Sequence, residues 1–166
     1  ENYYSVNPAQ LSTATTNANI NQRTHRRSLF VQDEWRVAES LLFSLGLRLD
    51  DETRADQTLS PRAGVIWHPA AAWTAKLLTG RAYRSANAYE KYYGDGITYL
   101  SNPALEGETI TTTEGVVEWR SPHGARWQLS LYQNRLDGLI QQVDTGSGLQ
   151  YQNGQGIKVN GAELGM

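Results

Sequence analysis

From Leu41 to Asp50 the chain alternates with a period of two: Leu41, Phe43, Leu45, Leu47 and Leu49 fall on one side, and Leu42, Ser44, Gly46, Arg48 and Asp50 on the other. Successive side chains of a strand point to opposite faces, so the pattern predicts a sheet segment with one apolar and one mixed face. The same odd-numbered parity carries Ala63, Val65 and Trp67 against Arg62, Gly64 and Ile66, and Trp73, Ala75 and Leu77 against Thr74, Lys76 and Leu78. It also carries Val117 and Trp119 against Glu114, Glu118 and Arg120, and Trp127, Leu129 and Leu131 against Gln128, Ser130 and Asn134. A first strand around Leu29 to Val37 turns Leu29, Val31 and Trp35 the same way, with Asp33 sharing that face. A last one presents Ala162, Leu164 and Met166, with Lys158 and Asn160 above the apolar band. Seven strands are therefore expected.

All five tryptophans, Trp35, Trp67, Trp73, Trp119 and Trp127, lie on the apolar side and within a few residues of a short turn at 38–40, 69–72 or 121–125. A ring of indoles at one end of every hairpin marks a membrane boundary. Short turns alternate with longer segments at 51–59, 84–108 and 143–156. Outer-membrane barrels have short periplasmic turns and long outer loops, so the tryptophan end is periplasmic and the tyrosine-rich end faces outside. The opening stretch 1–22, with Tyr3 and Tyr4, is expected to form another outer loop. The predicted class is thus all-β, a transmembrane antiparallel β-barrel.

Composition changes this picture little. Hydrophobic residues make up 39% of the chain, mean hydropathy is -0.55, and no run of eighteen apolar residues offers a transmembrane helix. A barrel wall passes that test unseen because only alternate residues meet lipid. With no cysteine there is no disulfide framework and no thiolate metal site. Net charge is -2 with dispersed basic residues, which gives no nucleic-acid footprint. The absence of a signal-like opening, and a strand pattern running to Met166, are read as an internal piece of a longer chain.

Eight strings, in order, carry a resemblance: RSLFVQDEWRV (27–37), SLGLRLD (44–50), LSPRAGVIW (59–67), TGRAYRSANAYEKYY (79–93), SNPALEGET (101–109), EGVVEWR (114–120), LYQNRLDGLI (131–140) and YQNGQGIKVNGAELG (151–165). Together they resemble the C-terminal part of the barrel of TonB-dependent outer-membrane receptors. The resemblance implies a barrel of about 22 strands with a plugged lumen. It further implies residence in the outer membrane of a Gram-negative bacterium and uptake of a scarce ligand, such as a ferric siderophore or another small-molecule chelate. Energy would reach it from the TonB complex through a plug domain that this chain does not contain. Residues 1–166 are accordingly expected to be a partial barrel domain, with two exposed sheet edges.

Candidate chemistry concentrates at the outer mouth. Arg84, Tyr89, Tyr92, Tyr93 and Tyr99 are the expected ligand contacts, since tyrosines offer large contact area at modest entropic cost and Arg84 can pair with an anion. The alternative is that they pack the loop on itself and extend the outer aromatic girdle. Arg48, Arg62, Lys76, Glu114 and Glu118 are expected to face the lumen, touching a plug or hydrating the interior. Arg23 and Arg27, in a basic run with His25 and Arg26, point outward where lipopolysaccharide phosphates would lie; a solvated cluster is the other reading. Asp50, Asp51, Glu52 and Asp56 gather nearby, with water-relieved repulsion expected rather than a calcium site. His25, His68 and His123 are too dispersed for a metal site or a catalytic triad, so neither catalysis nor a cofactor is expected. Two other classes stay open: another outer-membrane barrel (a porin-like channel or a barrel enzyme), and a soluble β-rich binding module.

Overall fold

The computed structural model describes residues 23–166 other than 54 and 56. The expected outer loop at 1–22, and Asp56 of the acidic group, lie outside the described residues. In chain order the elements are β1 (Arg26–Ala38), β2 (Leu41–Glu52), β3 (Thr58–Ala70), β4 (Trp73–Arg84), α1 (Ala88–Tyr92), β5 (Tyr99–Leu100), β6 (Glu108–Arg120), β7 (Arg126–Asp137), β8 (Ile140–Asp144), β9 (Leu149–Asn153) and β10 (Ile157–Gly165). The seven alternating segments are all strands, joined as one sheet in the order β1-β2-β3-β4-β6-β7-β10. Every neighbouring pair in it is antiparallel. The sheet is open, with β1 and β10 at its edges.

The register places the apolar parity on one face without a slip. One row runs Trp35–Phe43–Val65–Leu77–Gly115–Leu131–Ala162, and the next toward the short turns runs Leu41–Trp67–Ala75–Val117–Leu129–Leu164. Ala162 and Leu164 therefore do share the face of Leu131 and Leu129, as the final strand's pattern predicts. Asp33 stands on this face too, opposite Leu45. No described residue covers this face: Leu29, Val31, Leu77, Leu131 and Leu164 are all exposed, while Leu105 and Val116 are the buried apolar side chains among the described residues. No helix among the described residues is long and apolar enough to cross a membrane.

The tryptophan border crosses the rows obliquely. Trp35 lies in the first row above, Trp67 one row lower, and Trp73, Trp119 and Trp127 one lower again. A drop of two rows is about 13 Å along the strands, over five strand spacings of about 4.8 Å each. The boundary is thus inclined by roughly 30° to the hydrogen-bonding direction, near the strand tilt that barrel walls adopt.

Two differences from the sequence reading concern the outer side. β2 runs to Glu52 and β3 begins at Thr58, so the connection expected at 51–59 shortens to 53–57. The two longer connections are not plain loops. Residues 85–107 hold α1 and β5, and residues 138–156 hold the hairpin β8–β9; β5 and β9 then pair in parallel.

On the second face glycine makes room for arginine. Gly46 is paired with Arg62, and a Cβ at Gly46 would stand 2.6 Å from Nε of Arg62 and 2.8 Å from its Cγ. The Arg62 side chain crosses that gap to hydrogen-bond Gln32 on β1, two strands away. Gly46→Val in the full-length protein should expel this arm and cost about 1–3 kcal/mol by overpacking. Thermal unfolding of the folded barrel in detergent checks it, and an unchanged midpoint would show that Arg62 is not held there.

Candidate functional site

The two long outer connections lock into one body above the sheet. Asn87 caps α1 by accepting the Glu90 N–H (2.9 Å), while the Glu90 carboxylate accepts the Asn87 N–H (2.8 Å), a reciprocal box. Glu90 also receives Arg84 (3.1 Å), whose Nε donates to Glu108 (2.7 Å), and Glu108 accepts the Ile140 N–H (3.0 Å). One chain of charge-assisted bonds thus ties α1, β4, β6 and β8 together. Asn153 donates to the carbonyls of Glu106 (3.1 Å) and Gly138 (2.9 Å) and accepts the Glu106 N–H (2.9 Å). Asn102 donates to the Tyr151 carbonyl (2.8 Å), and Gln150 to that of Ser101 (3.0 Å).

Rings fill the same body. Tyr89 stacks on Tyr93 at 4.5 Å and meets Tyr151 edge-on at 6.2 Å, while Tyr93 lies 5.3 Å from Tyr99. Burial among these rings pushes the Tyr89 hydroxyl above its ordinary range. At the tip, Asp95 accepts the N–H groups of Ile97 (2.9 Å), Thr98 (2.7 Å) and Tyr99 (2.8 Å). The Tyr99 amide, followed by that of Ile97, holds its carboxyl below the ordinary range against a smaller opposing effect of burial. With the folded value depressed, the turn's stabilisation is complete above the ordinary carboxylate range and is lost as pH falls through the lowered value. Asp95→Ala should therefore raise protease cleavage at 94–99 several-fold at pH 7, without moving the barrel's own midpoint. Equal cleavage rates would show that the carboxylate does not hold the tip.

Against the expected ligand contacts, the structure brings Tyr89, Tyr93 and Tyr99 together with Tyr151, whose part the sequence reading missed. Arg84 has its guanidinium matched by Glu90 and Glu108. Tyr92 stands outside the ring stack. It lines a groove of about 880 Å³ with Lys91, Arg81, Tyr83 and Leu105, between the loop body and the 53–57 connection. That groove opens where β3 and β4 part: their ladder ends at Arg62–Gly80, and Pro61, just above, has no N–H to continue it.

The residues expected to face the lumen share one parity. Glu118 accepts from Lys76 and from Arg126 (2.8 Å), and its residue is only 3% exposed. Arg48 binds Asp50 (2.8 Å) and Ser28 (3.2 Å), and Glu114 lies between Leu78 and Tyr132 in the register. Two members of the acidic group near the rim are paired: Ser28 and Arg48 hold Asp50, and Arg26 holds Glu52 (2.5 Å), while exposed Asp51 stands opposite Arg27 in the register. Of the basic run, Arg26 thus binds Glu52 and Arg27 stands opposite Asp51 across β1 and β2. Among the described residues no group of three or more His, Asp or Glu is placed to hold a metal ion. Glu118→Ala should leave Lys76 and Arg126 facing each other and cost about 2 kcal/mol, below the value for a fully buried pair because Arg126 is half exposed. Urea unfolding of the full-length protein in micelles reads this, and an unshifted midpoint would rule the network out as a stabilising feature.

Residues 1–166 match the family model for the TonB dependent receptor-like β-barrel. The iron-regulated outer membrane virulence protein of Vibrio cholerae serotype O1 is 28% identical over 138 residues, which are 77% of this chain and 21% of that protein. Among solved structures, the siderophore receptor PirA from Pseudomonas aeruginosa superposes with a TM-score of 0.77 at 25% identity, covering 85% of this chain and 28% of that one. A mutant of the ferric enterobactin receptor PfeA from the same organism, in complex with enterobactin, superposes with a TM-score of 0.76 at 21% identity, covering 85% and 24%. This chain spans between a fifth and three tenths of the length of these relatives.

Proposed function

The chain belongs to the TonB-dependent receptor β-barrel family of Gram-negative outer membranes, and on that premise we propose that its parent protein takes up a scarce nutrient, such as a ferric siderophore, by active transport. Residues 1–166 would then be part of the barrel wall, with a plug domain and its contact to the TonB complex supplied elsewhere. The observation that carries the reading is the match over the whole chain, together with the superposition on a siderophore receptor at 25% identity. Family members and structural neighbours are receptors and transporters, so a barrel enzyme has no specific observation in its favour. Deleting the full-length protein should abolish uptake of one radiolabelled ferric chelate and slow growth on it under iron limitation. Unchanged uptake of every chelate tried would sink the iron reading.

Within that reading the tyrosine-bearing loop body is part of the ligand surface. Tyr89, Tyr93 and Tyr99 hold the body's shape, Arg84 fixes α1 to the wall, and Tyr92 lines the groove beside it. Arg48, Arg62, Lys76, Glu114 and Glu118 line the lumen, where they would meet the plug. Paired substitution Tyr92→Ala with Tyr93→Ala should weaken chelate binding to the full-length receptor at least ten-fold, about 1.4 kcal/mol. Titration of ligand-induced tryptophan quenching gives the answer, and unaltered affinity would remove this loop from the recognition surface.

A further inference from the structure

Among the described residues, Asp33 is the one charged side chain that the register puts on the lipid-facing parity within the apolar band. Its row runs Asp33–Leu45–Ala63–Thr79 across β1 to β4. Its immediate neighbours on that face, Val31 and Trp35 along β1 and Leu45 across from it, are apolar. One carboxylate oxygen, Oδ1, accepts the Glu34 N–H at 2.9 Å. Among the described residues Oδ2 has no donor and the carboxylate has no ion pair. Trp35, one row nearer the short turn, marks the periplasmic border on β1. With strands tilted by about 35°, Asp33 stands roughly 5 Å inside that border.

A furrow of about 700 Å³ adjoins the carboxylate, with Val31, Asp33, Trp35, Leu45, Leu47 and Ala63 in its lining. That volume is in the range of sites that hold small molecules. From Asp33 and Trp35 on β1 the furrow extends across β2 and β3 to Arg81 on β4, which puts the carboxylate at its periplasmic end. An apolar trough that ends in an anion beside the headgroup level is complementary to a molecule with a hydrocarbon body and a cationic tip.

We propose that Asp33 and this furrow dock an inner-leaflet phospholipid whose headgroup carries a primary ammonium, with the ammonium on the carboxylate and an acyl chain in the furrow. An ammonium brings three N–H donors with its charge, so it answers both the charge and the open oxygen. A fully methylated headgroup nitrogen answers the charge alone. Near the border a carboxylate on the lipid face costs less than at the midplane, so the stabilisation from pairing it is modest. In the closed barrel, the strand flanking β1 on its other side is a second source of a cation, and dependence on the lipid separates the two. The inference rests on the outer-membrane placement and is independent of what the receptor transports.

The test melts the full-length protein in nanodiscs enriched in phosphatidylethanolamine or in phosphatidylcholine of the same acyl chains, with ethanolamine added to the second as a separate arm. Net headgroup charge is then equal and only the N–H donors differ. The wild type should melt a few degrees higher with phosphatidylethanolamine. Asp33→Asn should lose that difference, and Ala63→Leu, which fills the furrow and keeps the carboxylate, should reduce it. No lipid dependence in the wild type, or an undiminished difference in either variant, overturns the proposal. Asp33→Asn lowering the midpoint equally in both lipids also overturns it, by assigning the carboxylate to a basic residue on the flanking strand. Ethanolamine reproducing the whole stabilisation does so too, by assigning it to a soluble amine. A measurement that needs no variant uses a membrane-permeant carbodiimide, which should join the wild-type Asp33 carboxylate to the lipid amine as an amide while taking up the water as a urea. Mass analysis of the peptide containing Asp33 reads the adduct, and its absence overturns the proposal. Chelate uptake is read separately, so failure here and failure of the transport reading are distinguishable.

Discussion

In hydrocarbon no water is available to satisfy a backbone N–H or C=O, so a strand can cross a membrane only while both neighbours complete its ladder. Side-chain parity is then not free. A slip of one residue at any interface would turn that strand's apolar set to the lumen and its charges to lipid. The six interfaces of this sheet keep one parity from Trp35 through Ala162, although register irregularities interrupt two of them near the short turns. Those irregularities fall at Arg36–Ala38 and Trp67–Ala70, at the short-turn end of the strands, where barrel rims accommodate bulges. Asp33 is the exception that the parity imposes: its strand cannot turn it inward without also exposing Gln32 and Glu34. Its carboxylate accepts the Glu34 N–H at 2.9 Å, which satisfies one oxygen locally.

The inner face obeys the opposite demand. Several of its charges are matched at close range within the sheet itself. Glu118 between Lys76 and Arg126, Asp50 between Arg48 and Ser28, and Arg62 reaching Gln32 over Gly46 are three local solutions. Each pairs residues from neighbouring strands or bridges over a small residue, so the polar network also fixes interstrand register from the side that lipid does not touch.

Legibility followed range. Parity and indole placement are local, and the seven wall strands, their facing and the direction of the short turns could be read from the chain. The Asn87–Glu90 pair was equally local, a capping signature three residues apart, and went unread inside a loop dense with other chemistry. What could not be read was long-range. The parallel contact of Tyr99 with Leu149, the Asn153 clasp on Glu106, and the matching of Arg26 with Glu52 depend on chain segments 26 to 50 residues apart, which no period announces. For the same reason the candidate site was half legible. The tyrosines and Arg84 were identifiable as residues, but Tyr151 reaches the rings only when the two connections fold together, and Glu108 meets Arg84 through the β4–β6 pairing.

Leu105, 1% exposed, is the most deeply buried large apolar side chain among the described residues, and it sits in the 85–107 connection rather than in the sheet. The molecule therefore solves two different solvent problems. The wall leaves its apolar residues out and relies on lipid to cover them. The loop body rises into water and must bury its own, with Leu105 beneath, four tyrosine rings packed against each other, and carboxylates and amides closing the backbone. A body held that way is preorganised, which under the proposed uptake role would lower the ordering cost of binding a ligand. Rings committed to that stack have little freedom to move onto a ligand. Under the proposed uptake role, recognition by this part of the rim would fall to side chains at the border of the stack, Tyr92 and the polar edge of the groove.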